Sequence, residues 1–115
     1  MNDAHKQRYQ HALQEYRFAR GMACDRQWKA MLILLTVMPD LWAKLRVHID
    51  LKHGSAYLEQ AVKEVDLTGG ERRFLSLAHN LFNSGVTVDM ADISDTLDDD
   101  NWAAVIEALE VYRGK

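Results

Sequence analysis

Apolar residues recur every three or four positions along most of the chain, with polar residues between them. An α-helix completes one turn in about 3.6 residues, so this spacing places the apolar side chains on one face of a helix. The pattern is clearest over residues 71–83 and 98–112, and polar residues suited to helix capping precede both stretches. It predicts an all-α protein whose helices pack around a single core.

The first predicted helix runs from about Asp3 to Arg20 and ends at Gly21. Glycine readily takes the left-handed conformation that follows many helices. The apolar positions of this helix are spaced by three and four residues, which predicts one buried stripe. The side chains predicted to form or widen this stripe are Tyr9, Ala12, Leu13, Tyr16, Phe18 and Ala19.

A second helix is predicted over residues 25–38, with Asp25 as its N-cap. Apolar side chains surround it on nearly all sides, which is typical of the most buried helix of a domain. Pro39 ends this helix and suits the first turn of the next, where its missing N–H group has no cost. The third helix is predicted to bury Leu41, Trp42, Leu45 and Ile49.

A fourth helix is predicted from Ser55, as its cap, to Val65. The fifth covers residues 71–83 and follows Thr68, which stands three residues before Glu71 in the spacing of a capping box. The side chains predicted to be buried by these two helices are Leu58, Ala61, Val62, Val65, Phe74, Leu75, Ala78, Leu81 and Phe82.

An acidic connector over residues 86–97 is predicted to contain a short helical turn. Asp98 is predicted to cap the last helix, residues 98–112, with Asp99 and Asp100 in its first turn, where the helix dipole favours negative charge. The core residues predicted here are Met90, Ile93, Leu97, Trp102, Val105, Ile106, Leu109 and Tyr112. The prediction is therefore a compact bundle of five or six helices forming one domain, residues 1–115.

Composition agrees with a soluble helical domain. The chain has six glycines and one proline, too few for a sheet protein with many tight turns. The apolar stretch 30–38 is shorter than the roughly 20 residues that cross a bilayer, and the charged N-terminal residues do not resemble a signal peptide. Because Cys24 has no second cysteine to pair with, we expect a reducing, cytoplasmic setting and a structural role for its thiol.

Sequence motifs for catalysis, cofactors and metals are missing. The histidines form no HExxH pattern, and His79 is predicted to be a partly buried structural residue. The serines, Ser84 among them, lie outside any nucleophile elbow, and Gly69-Gly70 lacks the lysine of a P-loop. A capping box explains these glycines, with an anion bound at the same helix start as the alternative. We therefore expect no enzyme activity, no cofactor and no metal.

A run of aspartates between residues 89 and 100 is the strongest charge feature. It lacks the glycine and the closing glutamate of an EF-hand calcium loop. Helix capping on a solvated acidic face is one interpretation, and a surface for a protein partner is the other. The candidate partner-binding residues are Asp89, Asp92, Asp95, Asp99 and Asp100.

The N-terminal thirty residues carry six Lys or Arg and three acidic residues, whereas residues 86–115 carry eight acidic residues and two basic ones. These ends can compensate each other within the fold or across a dimer, so self-association stays open. The alternative function is DNA binding by a small transcriptional regulator. Its candidate residues, on the first helix, are Lys6, Arg8, Arg17 and Arg20.

A helix–turn–helix is the other DNA-binding arrangement that the sequence suggests. It would consist of residues 71–83, a Ser84-Gly85 turn and a recognition helix at 88–97. That recognition helix would bring three aspartates and no Lys or Arg to the major groove. Repulsion by the DNA phosphates makes this arrangement unfavourable.

Several segments resemble a family of small uncharacterised proteins with a domain of unknown function. The segments are 5–13, DRQWK (25–29), MLILL (31–35), DLW (40–42), Glu71-Arg72, LAHNLFN (77–83), DISDTLDDDNW (92–102) and ALEVY (108–112). The resemblance implies a compact helical protein, mainly from Gram-positive bacteria and associated with phages or conjugative elements. Together with the missing motifs, it favours a non-enzymatic accessory factor that binds a protein partner, such as an inhibitor of a host defence protein.

Overall fold

The computed structural model describes residues 1–83 and 85–114, and in these ranges it contains seven α-helices and one short hairpin. The helices are α1 (Asp3–Arg20), α2 (Arg26–Leu35), α3 (Pro39–Leu45), α4 (Leu58–Glu64), α5 (Gly69–Phe82), α6 (Met90–Thr96) and α7 (Asp99–Tyr112). A 3-10 turn (Arg46–His48) and strands β1 (Ile49–Asp50) and β2 (Ser55–Ala56) connect α3 to α4. The all-α prediction is confirmed. The count exceeds the predicted five or six because the connector 86–97, predicted to contain a short helical turn, contains the complete helix α6.

Helix α2 is the centre of the fold, as predicted. Every residue from Ala30 to Leu35 is at most 1% exposed, and the helix packs against α1, α3, α5 and α7. Asp25 caps it by accepting the Trp28 N–H at 2.9 Å. The helix ends at Leu35 rather than at residue 38, because Met38 takes the extended conformation that the following proline favours.

Side chains of α1 bind the carbonyl groups around the end of α2. Arg8 donates from Nε to the Thr36 oxygen and from Nη2 to the Val37 oxygen, both at 2.8 Å. His5, which is 2% exposed, places Nε2 2.9 Å from the Ile33 oxygen and 3.2 Å from Thr36 Oγ1. Carbonyl groups at a helix end have no partner within the helix, so these bonds fix α1 on α2.

Helix α5 is held at both ends. The predicted capping box is present: Thr68 Oγ1 accepts the Glu71 N–H at 3.2 Å, and Glu71 Oε1 accepts the Thr68 N–H at 2.9 Å. Lys44 of α3 donates to the same Glu71 oxygen at 2.8 Å. Burial alone would raise the pKa of Glu71, but the bonds from Lys44 and Thr68 hold it below its ordinary value. At the other end, Gln27 donates to the Phe82 oxygen at 2.8 Å.

The predictions for residues 46–57 are wrong in two respects. The third helix stops at Leu45 and does not extend to Ile49, which pairs instead with Ala56 in the antiparallel hairpin. Ser55 is therefore a strand residue and not a helix cap, and α4 begins three residues later, at Leu58.

The tip of the hairpin explains why the chain reverses direction between β1 and β2. Gly54 has a φ of 68°, a left-handed conformation that glycine adopts without steric cost. Asp50 accepts the His53 N–H at 3.0 Å, as aspartate commonly does in a turn. The chain reverses here, so the helical spacing of nearby apolar residues does not continue through the segment.

Several residues predicted to face the core lie on the surface. Phe18 is 94% exposed, because the buried stripe of α1 comprises a narrower set of side chains, namely His5, Tyr9, Ala12 and Tyr16. Helix α7 likewise contacts the core through a narrow strip that includes Ala104, Val105 and Ala108. The other residues predicted to be buried and found exposed are Ala19, Val62, Ile106 and Tyr112.

The burial of His5 predicts a stability that falls in weak acid. Desolvation lowers the pKa of His5 from its ordinary value of 6.5, so the unfolded chain takes up a proton at a higher pH than the folded chain. The stability contributed by neutral His5 is complete above about pH 6.5 and decreases as the pH falls toward the lower folded value. Because one proton is involved, the free energy of unfolding changes by at most about 1.4 kcal/mol per pH unit. Urea denaturation between pH 7.5 and pH 5 measures the slope.

The matched control for this measurement is His5→Gln, which keeps a side-chain N–H donor but does not titrate. We expect a flatter dependence of the free energy of unfolding on pH between 6.5 and 5 than in the wild type. Asp50 and Glu71, whose pKa values are lowered from 3.8 and 4.5, act below this window. Equal slopes for the two proteins would contradict the assignment to His5.

Candidate functional site

The five candidate aspartates of the acidic segment lie on or beside α6 and in the first turn of α7, and all are exposed. Asp89 caps α6 by accepting the Asp92 N–H at 3.0 Å. Asp92 in turn binds Arg73 of α5, with Nε to Oδ2 at 2.9 Å. These contacts give Asp89 and Asp92 structural roles. For Asp95, Asp99 and Asp100, a partner-binding role stays a prediction.

The four candidate cations of α1 are not equally available to DNA. Both guanidinium contacts of Arg8 are to carbonyl groups after α2. Arg20 lies over the ring of Tyr16, with Cζ 5.4 Å from its centroid, and its Nε atom is buried. Lys6 and Arg17 are exposed. The DNA-binding alternative stays a prediction, with two exposed cations on this helix.

In the described residues, the helix at the recognition position of the predicted helix–turn–helix has no positively charged side chain. The proposed turn of this motif includes Ser84, which lies outside the described residues. The helix in the recognition position, α6, spans seven residues and carries two aspartates and no Lys or Arg.

A different part of the surface contains two depressions. A depression of about 710 Å³ lies between α4 and the end of α5, where Tyr57, His79 and Phe82 contribute to its lining. A second depression of about 410 Å³ is lined by Glu15, Trp42, Arg46, Val47, Lys52 and Tyr57, among others. Tyr57 contributes to the lining of both depressions, and we call the two together the Tyr57 groove.

Large apolar side chains are exposed in and beside the Tyr57 groove. Val47 is 84% exposed and Tyr57 is 54% exposed. Phe18, at 94%, lies one helical turn after Glu15, which lines the second depression. Apolar side chains exposed near one another are typical of protein interaction sites, and aromatic residues are frequent energetic anchors of such interfaces.

The charges around the groove are balanced. Glu15 pairs with Arg46 at 3.3 Å, and Glu59 pairs with Lys63 at 3.7 Å. A surface of mixed, paired charges does not generate the positive potential by which proteins bind nucleic acid. The groove therefore suits a partner surface of little net charge. The sequence analysis does not predict the Tyr57 groove, because it places Phe18 in the core and Tyr57 within the fourth helix.

In the comparison with protein families, a family model matches residues 1–112 of the chain. The chain belongs to the family of unknown function DUF6075. This membership confirms the resemblance to a family of uncharacterised proteins. Neither the curated proteins nor the solved structures contain a significant match to the chain. The Tyr57 groove of this DUF6075 protein is therefore interpreted from its own geometry.

Cys24 of the DUF6075 chain lies in the core, and His79 lies in the lining of the Tyr57 groove. Burial raises the pKa of the Cys24 thiol to about 11, which keeps it protonated at neutral pH and agrees with the predicted structural role. His79 is half-buried, as predicted. Within residues 1–83 and 85–114, no three His, Cys, Asp or Glu side chains are grouped as a metal site requires.

Helix length and hydropathy bear on the membrane prediction. In the described parts of the DUF6075 chain, none of the helices combines the length and the apolar character that spanning a bilayer requires.

Proposed function

We propose that this DUF6075 protein is a non-enzymatic accessory factor that binds another protein through the depression of about 410 Å³ in the Tyr57 groove and the apolar side chains beside it. The observation that carries the proposal is the exposure of Val47 and Tyr57 in the lining of this depression, together with exposed Phe18 one helical turn after Glu15 of the same lining. On binding, apolar surface of each of these side chains would be removed from water. Burial of apolar surface is favourable by about 25 cal/mol per Å².

The chemistry of the groove supports a protein partner over a reaction. Outside the groove, the core residues Tyr9 and Cys24 have pKa values raised to about 12 and about 11 by desolvation, so both are protonated at neutral pH. The groove contains paired charges and apolar side chains, the composition of a recognition surface.

The resemblance supplies the biological setting of the proposal. We infer a cytoplasmic bacterial protein, carried by a phage or mobile element, whose partner is a host protein such as a component of a defence system. The acidic residues Asp95, Asp99 and Asp100 are exposed on a different part of the surface. In the experiment below, these residues are tested as the alternative partner-binding surface.

The test compares partner capture by two surface variants. In the first, Phe18 and Val47 are changed to Ser, which removes two apolar anchors whose exposure limits any change in stability to about 0.5 kcal/mol each. We expect affinity for the captured partner to fall at least about 10-fold, since loss of one anchor can cost about 2 kcal/mol. Cross-linking and titration calorimetry with the purified partner measure the change.

In the matched variant, Asp95, Asp99 and Asp100 are changed to Asn, and we expect affinity within about 2-fold of wild type. The reverse result, binding lost in this variant and retained in the Phe18/Val47 variant, would transfer the function to the acidic residues. Retention of full affinity in both variants would remove the groove from the proposal.

A further inference from the structure

Helix α4 presents a side of the molecule that the partner-binding residues Phe18 and Val47 do not occupy. Its inward side is buried through Leu58 and Ala61. Its outward side carries Glu59 and Lys63, whose side chains are 77% and 73% exposed. This outward side forms one wall of the 710 Å³ depression.

The charges on this outward side are arranged in a self-complementary way. Glu59 and Lys63 lie one helical turn apart, with opposite charges. If two copies of α4 are laid side by side in opposite directions about a two-fold axis, each Glu59 meets the Lys63 of the other copy. A two-fold axis creates each such contact twice, because residue i contacts j′ and j contacts i′. A parallel arrangement would place like charges opposite each other.

Apolar surface lies beside these charges. Tyr57 precedes α4 and is 54% exposed, and Val62 is 38% exposed. Phe82 lines the same depression from α5. A two-turn helix alone offers less than the roughly 800 Å² per partner of a stable interface, so the depression beside α4 has to be covered as well.

We propose that α4 is a homodimer contact, pairing antiparallel with α4 of a second copy so that Glu59 and Lys63 form two ion pairs between the chains. The second copy covers the depression between α4 and α5. The dimer is weak, with dissociation in the micromolar range, because its charged pairs are exposed and contribute little each. This contact goes beyond the proposed function: it covers the depression of about 710 Å³ in the Tyr57 groove and leaves the depression of about 410 Å³, which Val47 lines, to the protein partner.

The test uses two single charge reversals, Glu59→Lys and Lys63→Glu. Each variant has like charges at positions 59 and 63, so each should self-associate at least 10-fold more weakly than wild type. Mixed in equal amounts, the two variants place opposite charges across the interface and should form a heterodimer. Sedimentation equilibrium and light scattering, from about 10 to 500 µM, follow the mass from the 13.2 kDa monomer toward twice that value.

The mixture decides between explanations, since mixing restores opposite charges between the chains while each chain keeps two like charges at positions 59 and 63. The double variant, Glu59→Lys with Lys63→Glu, should dimerise like wild type. A wild type that stays monomeric up to 500 µM overturns the proposal. So does a mixture that associates no more strongly than its separate components, because a dimer formed by another face would behave in that way. The capture experiment with the Phe18 and Val47 variant measures affinity for the protein partner, so its outcome is distinguishable from these measurements of self-association.

Discussion

Leu32→Asp is expected to abolish the folded state. Leu32 lies in the middle of α2 and is 0% exposed, so the new carboxylate would be buried without a partner. Loss of the leucine costs about 2–5 kcal/mol, and burial of an unpaired charge adds several more. The sum is comparable with the whole stability of a small domain, about 5–15 kcal/mol. Circular dichroism and urea denaturation should show no cooperative unfolding transition.

Two controls separate burial from the charge itself. Leu32→Ala should leave a folded protein destabilised by about 2–5 kcal/mol. Gln14→Asp, on the exposed side of α1, should change stability by about 0.5 kcal/mol. A cooperative transition for Leu32→Asp near that of wild type would show that α2 is not the centre of the core.

Glu71→Ala is expected to have the second largest effect. Glu71 is 1% exposed, and one of its oxygens accepts both the Thr68 N–H and the Lys44 ammonium. The substitution removes half of the capping box and the bond that ties α3 to α5. We expect the free energy of unfolding to fall by about 2–4 kcal/mol, measured by urea denaturation at pH 7.

Glu71→Gln is the matched control, because its amide oxygen still accepts the Thr68 N–H while the negative charge is lost. We expect a smaller loss, about 1 kcal/mol. Thr68→Ala removes the other half of the box and should also cost about 1 kcal/mol. If all three variants were as stable as wild type, the capping box would contribute nothing to the fold.

The local signals of the sequence predicted most of the helices. Asp25, Thr68 and Asp98 cap α2, α5 and α7 as predicted, because a cap requires only a polar side chain within three residues of a free N–H group. The breadth of the apolar surface identified α2 as the central helix, since a helix that is apolar nearly all round has to be enclosed.

The candidate groove could not be predicted in the same way. Two-residue strands carry no periodic signal, and the hairpin around Gly54 places Tyr57 on the surface through pairing between residues 49 and 56. Phe18 has the spacing of a core residue but lies outside the strip that α2 covers. Helical spacing determines the direction in which each side chain leaves the helix axis. The width of the buried face depends on the neighbouring helices that cover it.

The sequence by itself determined the helical class, the caps and the identity of the central helix, because each depends on residues that are close along the chain. The tertiary structure decided the polar contacts between distant segments, such as His5 and Arg8 at the end of α2 and Lys44 on Glu71. It also decided which apolar side chains stay exposed beside the Tyr57 groove. These features depend on how helices far apart in the chain are placed, and no local pattern records that placement.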